Sequence, residues 1–312
     1  MEPLNKLGKM PPDPIQQFVR NKKKDFNNKI EKIRVLARKT INHFNDIKHK
    51  SFVVNPSIPI LYFGDLNRYL KSDLKIVTAA LNPSLEEFPK KGKPRFSFCP
   101  SNLNEDDFQN YMQTLSEYFK QTELNEPYSK WFDRSTEKIM NQLNTSYYPN
   151  KDYKNIALHT DICSPIATDP TWGGLEKKQK NLLEKKGFEI WLDLIKILKP
   201  DILLISVSKG ILNNYEFIEI SKLKINSAIK NSFEYNNIIK KYKEDGSLTS
   251  LDTKDIYFYQ HHKISHSKIY KGQNNSGIPF GMIGFLDKEK KNKVDLKEIK
   301  HAADLIIKHM KE

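Results

Sequence analysis

An asparagine amide held by the proline that follows it is the first pair in this chain able to do chemistry. "LKIVTAALNPSLEEFP", residues 74–89, runs as an apolar stretch straight into Asn82-Pro83 and a short acidic turn. Asn-Pro is a common way to end a strand in a turn, so the pair acquires meaning only from its company. Three other apolar runs end in polar tips: "NIAL" leads into "HTDICSPIATDPTW", "DILLISV" into "SKG" and "DIYFYQ" into "HHKISHSKIYKGQNNSGIPFG". These tips carry groups able to meet a phosphate or a heterocycle. Asp161 and Ser164 stand in the first, Ser208 and Lys209 in the second, and His261, His262, Lys263, His266, Lys268 and Lys271 in the last. The three histidines have no carboxylate or cysteine close in sequence to complete a zinc set. Cys99 and Cys163 stand far apart with no CxxC, so no metal and no cofactor is expected.

The elements that must position these tips read as an alternation of short apolar runs and longer helical stretches. Strands are expected at 60–63 ("ILYF"), 75–81 ("KIVTAAL"), 155–160 ("NIALHT"), 201–207 ("DILLISV") and 255–262 ("DIYFYQHH"). Between them "EDDFQNYMQTLSEYF", "YSKWFDRSTEKIMNQL" and "KGFEIWLDLIKILK" carry helical spacing. The alternation predicts an α/β fold, a three-layer α/β/α sandwich around a mostly parallel sheet. In such sheets ligands collect beyond the carboxyl ends of the strands. Residues 14 to about 48 form a basic amphipathic segment, a cap on the domain or an arm facing a nucleic acid, and residues 215–250 read as an excursion of helix and loop. The expected organisation is a helical extension over 1–55, with an N-terminal helix, followed by an α/β/α domain over 56–312, closed by the helix "DLKEIKHAADLIIKHM".

Lys and Arg number 52 against 38 Asp and Glu, a net charge of +14 over 312 residues. That excess attracts phosphates and makes their binding salt-sensitive, so DNA is the expected partner. The opening "MEPLNKLGKMPPDP" lacks the basic-then-apolar build of a signal peptide. No run approaches the roughly 18 apolar residues of a membrane span. A cytoplasmic monomer with no membrane partner is expected.

Taken together, these segments resemble the uracil-DNA glycosylase superfamily over residues 60 to about 285. The family's strand ending in Gly-x-Asp/Asn-Pro-x is similar to Ala80-Leu81-Asn82-Pro83-Ser84, and Phe96 in "PRFSF" stands where the family carries a stacking phenylalanine. The strand that delivers a base-reading Asn is similar to "LHTDICSP", and the Lys-Pro strand to "LKPDILLISVSKG". The resemblance implies an α/β/α fold without a metal. It also implies that Asn82 orients the attacking water, Phe96 stacks on the extruded base, and Asp161 reads the edge of that base. Ser164, Ser208 and Lys209 stand where the family pinches the DNA backbone.

Several positions depart from the family pattern. Ala80 replaces the preferred Gly, and Ser84 replaces the Tyr that closes the pocket of the uracil-restricted branch. Asp161 stands for the base-reading Asn; an ionised carboxylate only accepts hydrogen bonds and suits an exocyclic amine such as cytosine N4. The family's His-Pro-Ser is missing, with His266-Ser267 its nearest relic and His262 and His261 its competitors. The loop after the last strand offers Lys263, Lys268 and Lys271 to phosphates and Ile269 or Tyr270 as a wedge. Trp172 in "DPTWGG" reads as a loop anchor.

What the resemblance implies is therefore a monofunctional DNA glycosylase that flips out a pyrimidine enlarged at carbon 5, such as the modified cytosine of phage DNA, and leaves an abasic site. Such a substrate implies antiviral defence. No lysine is placed for a Schiff base. An amide is too weak a base to remove a proton from water, so the implied mechanism is dissociative, with positioning contributing most. Repair of uracil or another deaminated base by the same fold, and a nucleic-acid-binding module without catalysis, are the alternatives.

Overall fold

The computed structural model describes residues 14–100, 102–133, 136–205, 256–260 and 268–272. Over these residues the chain is an α/β protein with a mostly parallel sheet. Helix α1 (Pro14–Ile47) and the short α2 (Leu66–Lys71) precede strand β1 (Ile76–Ala80). Helices α3 (Phe108–Glu117), α4 (Ser129–Phe132) and α5 (Thr136–Gln142) follow. Next come β2 (Thr145–Ser146), β3 (Asn155–Ile156), β4 (Leu158–Asp161), α6 (Lys177–Leu198), β5 (Ile202–Ile205), β6 (Ile256–Gln260) and β7 (Lys268–Gly272). Among the described residues, no helix is long and apolar enough to cross a membrane.

The sheet order is β4-β1-β5-β7-β6, with every neighbouring pair parallel except β6 and β7. Strand β1 is the hub. Its Ile76, Val77, Thr78 and Ala79 are all buried, as expected of a parallel strand covered on both faces. Thr78 and His159 are register partners and share one face, where they meet Tyr147 and the rings of Phe63, Trp131 and Phe132. Successive strand residues point to opposite faces, so Thr160 turns to the other side and accepts a hydrogen bond from Trp191 Nε1 of α6 at 3.1 Å.

Helix α6 is bounded by local chemistry. Before its first turn the Glu176 backbone N–H donates to the Gln179 side chain at 2.8 Å. At its other end Lys199 takes a left-handed conformation (φ 48°) and Pro200 prevents continuation. Against α6 packs α1, whose Ile33, Leu36, Ala37, Ile41, Phe44 and Ile47 recur at helical spacing and are buried in the same core cluster as the sheet. Phe52 and Val53 belong to that cluster as well.

The sequence expectations differ from the fold at four strands. "ILYF" is buried but forms only an isolated antiparallel bridge, Phe63 to His159, because Pro59 precedes it and Gly64 (φ 114°) turns the chain away. "NIALHT" divides in two: Asn155–Ile156 pairs with Thr145–Ser146, and only Leu158–Asp161 enters the main sheet. The strand at Ile256–Gln260 is an antiparallel edge rather than a parallel member. Residues 268–272, expected in a loop, form a strand between β5 and β6. The segment 215–250 and the closing helix lie outside the described residues.

Candidate active site at the carboxyl edge of the sheet

Strands β1 and β4 end side by side, Ala80 opposite Asp161. Backbone pairing continues past them, with Ile162 N donating to Ala80 O and Cys163 N to Leu81 O, both near 2.9 Å. The next residues of β1 are thereby laid along the segment that follows β4. Thr168 N donates to Pro83 O at 3.2 Å, and Ser84 forms a parallel bridge with Thr168. This track fixes Asn82. Its Nδ2 donates to Pro83 O (2.9 Å), Thr168 Oγ1 (2.9 Å) and Ile166 O (3.2 Å). The amide nitrogen is saturated, so its orientation is set. The Oδ1 atom accepts no hydrogen bond among the described residues, leaving it able to receive one from a water or a substrate hydroxyl.

Asp161 is buried, with Oδ1 3.8 Å from His159 Nε2 and Oδ2 without a partner. Burial, reinforced by the charge of Glu87, pushes its carboxyl well above the usual range. The protonated form is favoured, and a carboxylic acid both donates and accepts, unlike the carboxylate read from the sequence. Glu87, at the end of the 3-10 turn Leu85–Glu87 that Ser84 caps, is raised to about 7, chiefly by burial. Tyr118 Oη donates to its Oε2 at 2.5 Å. His159 is lowered to about 3 by burial and pairs through Nδ1 with Thr78 Oγ1 at 2.7 Å. It is therefore a neutral imidazole across the physiological range.

The expected site residues fall into three groups. Asn82, Ser84 and Asp161 come together at this edge. Ser84 uses its Oγ to accept from Glu86 N at 3.3 Å. Phe96 and Ser164 are near it in sequence order but are not open to a ligand. The ring of Phe96 is only 3% exposed, stacked on Phe88 (5.5 Å, 19°) and tilted against Tyr118 at 5.0 Å. The open stacking face expected of Phe96 is thus covered by Phe88, the less buried of the two. Ser164 is fully buried and its Oγ accepts from Ile166 N at 3.1 Å, so it braces its own loop and is not placed to touch a phosphate. Trp172 is buried within a 3-10 turn, in keeping with an anchor.

The third group belongs elsewhere. Lys268, Tyr270 and Lys271 are strand residues of β7, so the wedge-bearing loop expected there is replaced by a ladder paired on both sides. Ser208, Lys209, His261, His262, Lys263 and His266 lie outside the described residues. Gln260 pairs with Lys268, which is level with Ile202 and Ile76 at the amino edge of the sheet. Asn82 lies six residues beyond Ile76, about 20 Å along the strand.

Glu87, His159, Thr168 and Tyr118 were not legible as members of the site. Glu87 reads as half of an exposed "EE" turn, and His159 alternates within an apolar run like any core residue. Among the described residues no group of three or more His, Cys, Asp or Glu is arranged to hold a metal ion. Comparison of the chain with protein-family models, curated proteins and solved structures finds no match.

Proposed function

We propose that this chain is a monofunctional DNA glycosylase that excises a pyrimidine carrying a substituent at carbon 5. The observation that carries this reading is the fixed amide of Asn82, aimed from the carboxyl edge of a parallel sheet beside a buried carboxyl on the neighbouring strand. Breaking an N-glycosidic bond builds positive charge on the sugar and negative charge on the departing base. An immobilised amide oxygen can hold the attacking water at the sugar, a contribution of positioning rather than proton removal. Asp161 in its protonated form carries both a donor and an acceptor, which would serve a departing base with an exocyclic amine once the residues covering this buried carboxyl are displaced. Position 84 carries a Ser in place of the Tyr that closes the pocket in the uracil-restricted branch.

The test is direct. The purified chain is incubated with duplexes carrying 5-substituted cytosine, cytosine or uracil and then treated with alkali. Strand breaks at the substituted cytosine, lost in Asn82→Ala, are the expected result. Breaks only in the uracil duplex overturn the substrate class, and breaks in none overturn the enzymatic reading. A second reading, a nucleic-acid-binding module without catalysis, is favoured by one observation: Phe96 and Asp161, the residues expected to meet an extruded base, are both buried. Duplex binding that survives Asn82→Ala, with no breaks in either protein, selects it.

A further inference from the structure

Between the 3-10 turn that holds Glu87 and the buried ring of Phe96 the chain makes an excursion, "FPKKGKPRF". Its base is fastened. Phe88 stacks on Phe96 and closes the two ends together. Arg95 donates through Nε to Glu86 O (3.3 Å) and through Nη1 to Glu126 O (3.2 Å), and Glu126 N donates to Pro94 O at 2.9 Å. The tip is free of such ties. Lys90, Lys91 and Lys93 are exposed and have no ion pair or hydrogen bond among the described residues. Gly92 between them takes φ +87°, and a Cβ there meets nothing within 4 Å. The contrast with Lys39, Lys120, Lys151 and Lys154, each facing a carboxylate within 4 Å, is plain.

Three unneutralised ammonium groups on four residues repel one another, a cost that a polyanion removes. We propose that this lysine loop is a clamp for the phosphate backbone of a nucleic acid, rising from the same edge as Asn82 and joined to it through Ser84 and the turn at Glu87. The proposal rests on DNA being the substrate of the site. It supplies the phosphate contacts that the sequence had suggested for Lys263, Lys268 and Lys271. Fastening at the base matters because lysine side chains on a placed backbone lose less freedom on binding than those of an unanchored segment.

The experiment measures binding of a fluorescent 20-base-pair duplex by anisotropy between 50 and 200 mM salt. The whole chain is compared with the K90Q/K91Q/K93Q variant and with a K24Q/K29Q/K32Q variant that removes the same charge from α1. Each lost phosphate contact lowers the salt slope by about 0.9, so the loop variant is expected to lose about 2 to 3 in slope with an unchanged melting temperature, and the α1 variant less than 1. Equal losses in both variants, an unchanged slope in the loop variant, or a wild-type chain that does not bind duplex each overturn the clamp. So does a loss confined to phosphatidylserine vesicles. Loop-dependent binding without release of any base leaves the clamp standing and removes the glycosylase reading instead.

Discussion

Tyr118 donates its phenolic hydrogen to Oε2 of Glu87 over 2.5 Å, inside a cluster of rings that includes Phe96 and Phe63. A carboxyl group in such surroundings resists ionisation, because burial outweighs the hydrogen bond and the positive charge of Arg95. Its ordinary value of 4.5 becomes about 7 in the folded chain. Between those two values the folded state holds the proton more tightly than the unfolded state, so stability is lost as the pH rises through the window. The loss is on the order of 3 kcal/mol.

Glu87→Gln keeps an acceptor for Tyr118 and removes the ionisation. The melting temperature of E87Q minus that of the wild type is therefore expected to grow from pH 4.5 to pH 7.5. His159, held neutral by burial, acts in the opposite direction, since stability falls as the pH drops through 6.5, but it is present in both proteins and cancels in the difference. Thermal melts at four pH values give the answer; a difference that stays flat removes Glu87 from the buried set.

Asn82 separates positioning from folding. Its Nδ2 faces two backbone carbonyls and the Thr168 hydroxyl. Asn82→Ala deletes these bonds and is expected to cost about 1–2 kcal/mol in stability. Asn82→Asp presents oxygen to oxygen at Pro83 and Ile166, and is expected to destabilise more than the alanine at pH 8 and less at pH 5, where the new carboxyl can carry a proton and donate. Melts of both variants at the two pH values, beside alkali-cleavage rates, check this. A more stable aspartate variant at pH 8 contradicts the orientation of the amide.

The sheet and its carboxyl edge were legible because parallel strands buried on both faces leave continuous apolar runs, and Ile76–Ala80 and Ile202–Ile205 stand within the expected limits. The long α1 and α6 were legible through periodicity. Direction was not. "DIYFYQHH" is a convincing strand, but nothing in it states that its described part, Ile256–Gln260, runs antiparallel. Residues 268–272 alternate Lys, Ile, Tyr, Lys too briefly to outweigh the glycines and asparagines around them. The partners of Asn82 were hidden for a different reason. Ile166 and Thr168 act on it from a segment more than eighty residues away, through a backbone carbonyl and a hydroxyl that no motif marks.

Gly187 ties α6 to the site by close approach rather than by a bond. A Cβ at this position lies 2.2 Å from Cys163 O and 2.7 Å from Ser164 Cα, both backbone atoms, so the helix or the loop must move to admit one. That loop carries the Ile166 carbonyl which holds Asn82, and Ser164 Oγ braces Ile166 N. Gly187→Ala is therefore expected to destabilise the chain by about 3 kcal/mol, at the upper end of overpacking. On the proposed glycosylase function it is also expected to lower excision further than the unfolded fraction accounts for, because the amide loses one of its fixed acceptors. Gly173→Ala, where nothing lies within 4 Å of an added Cβ, serves as the control and is expected to stay within about 0.5 kcal/mol. Equal melting temperatures for the two variants contradict the contact, and a G187A chain that is less stable yet fully active per folded molecule contradicts the coupling of the helix to Asn82.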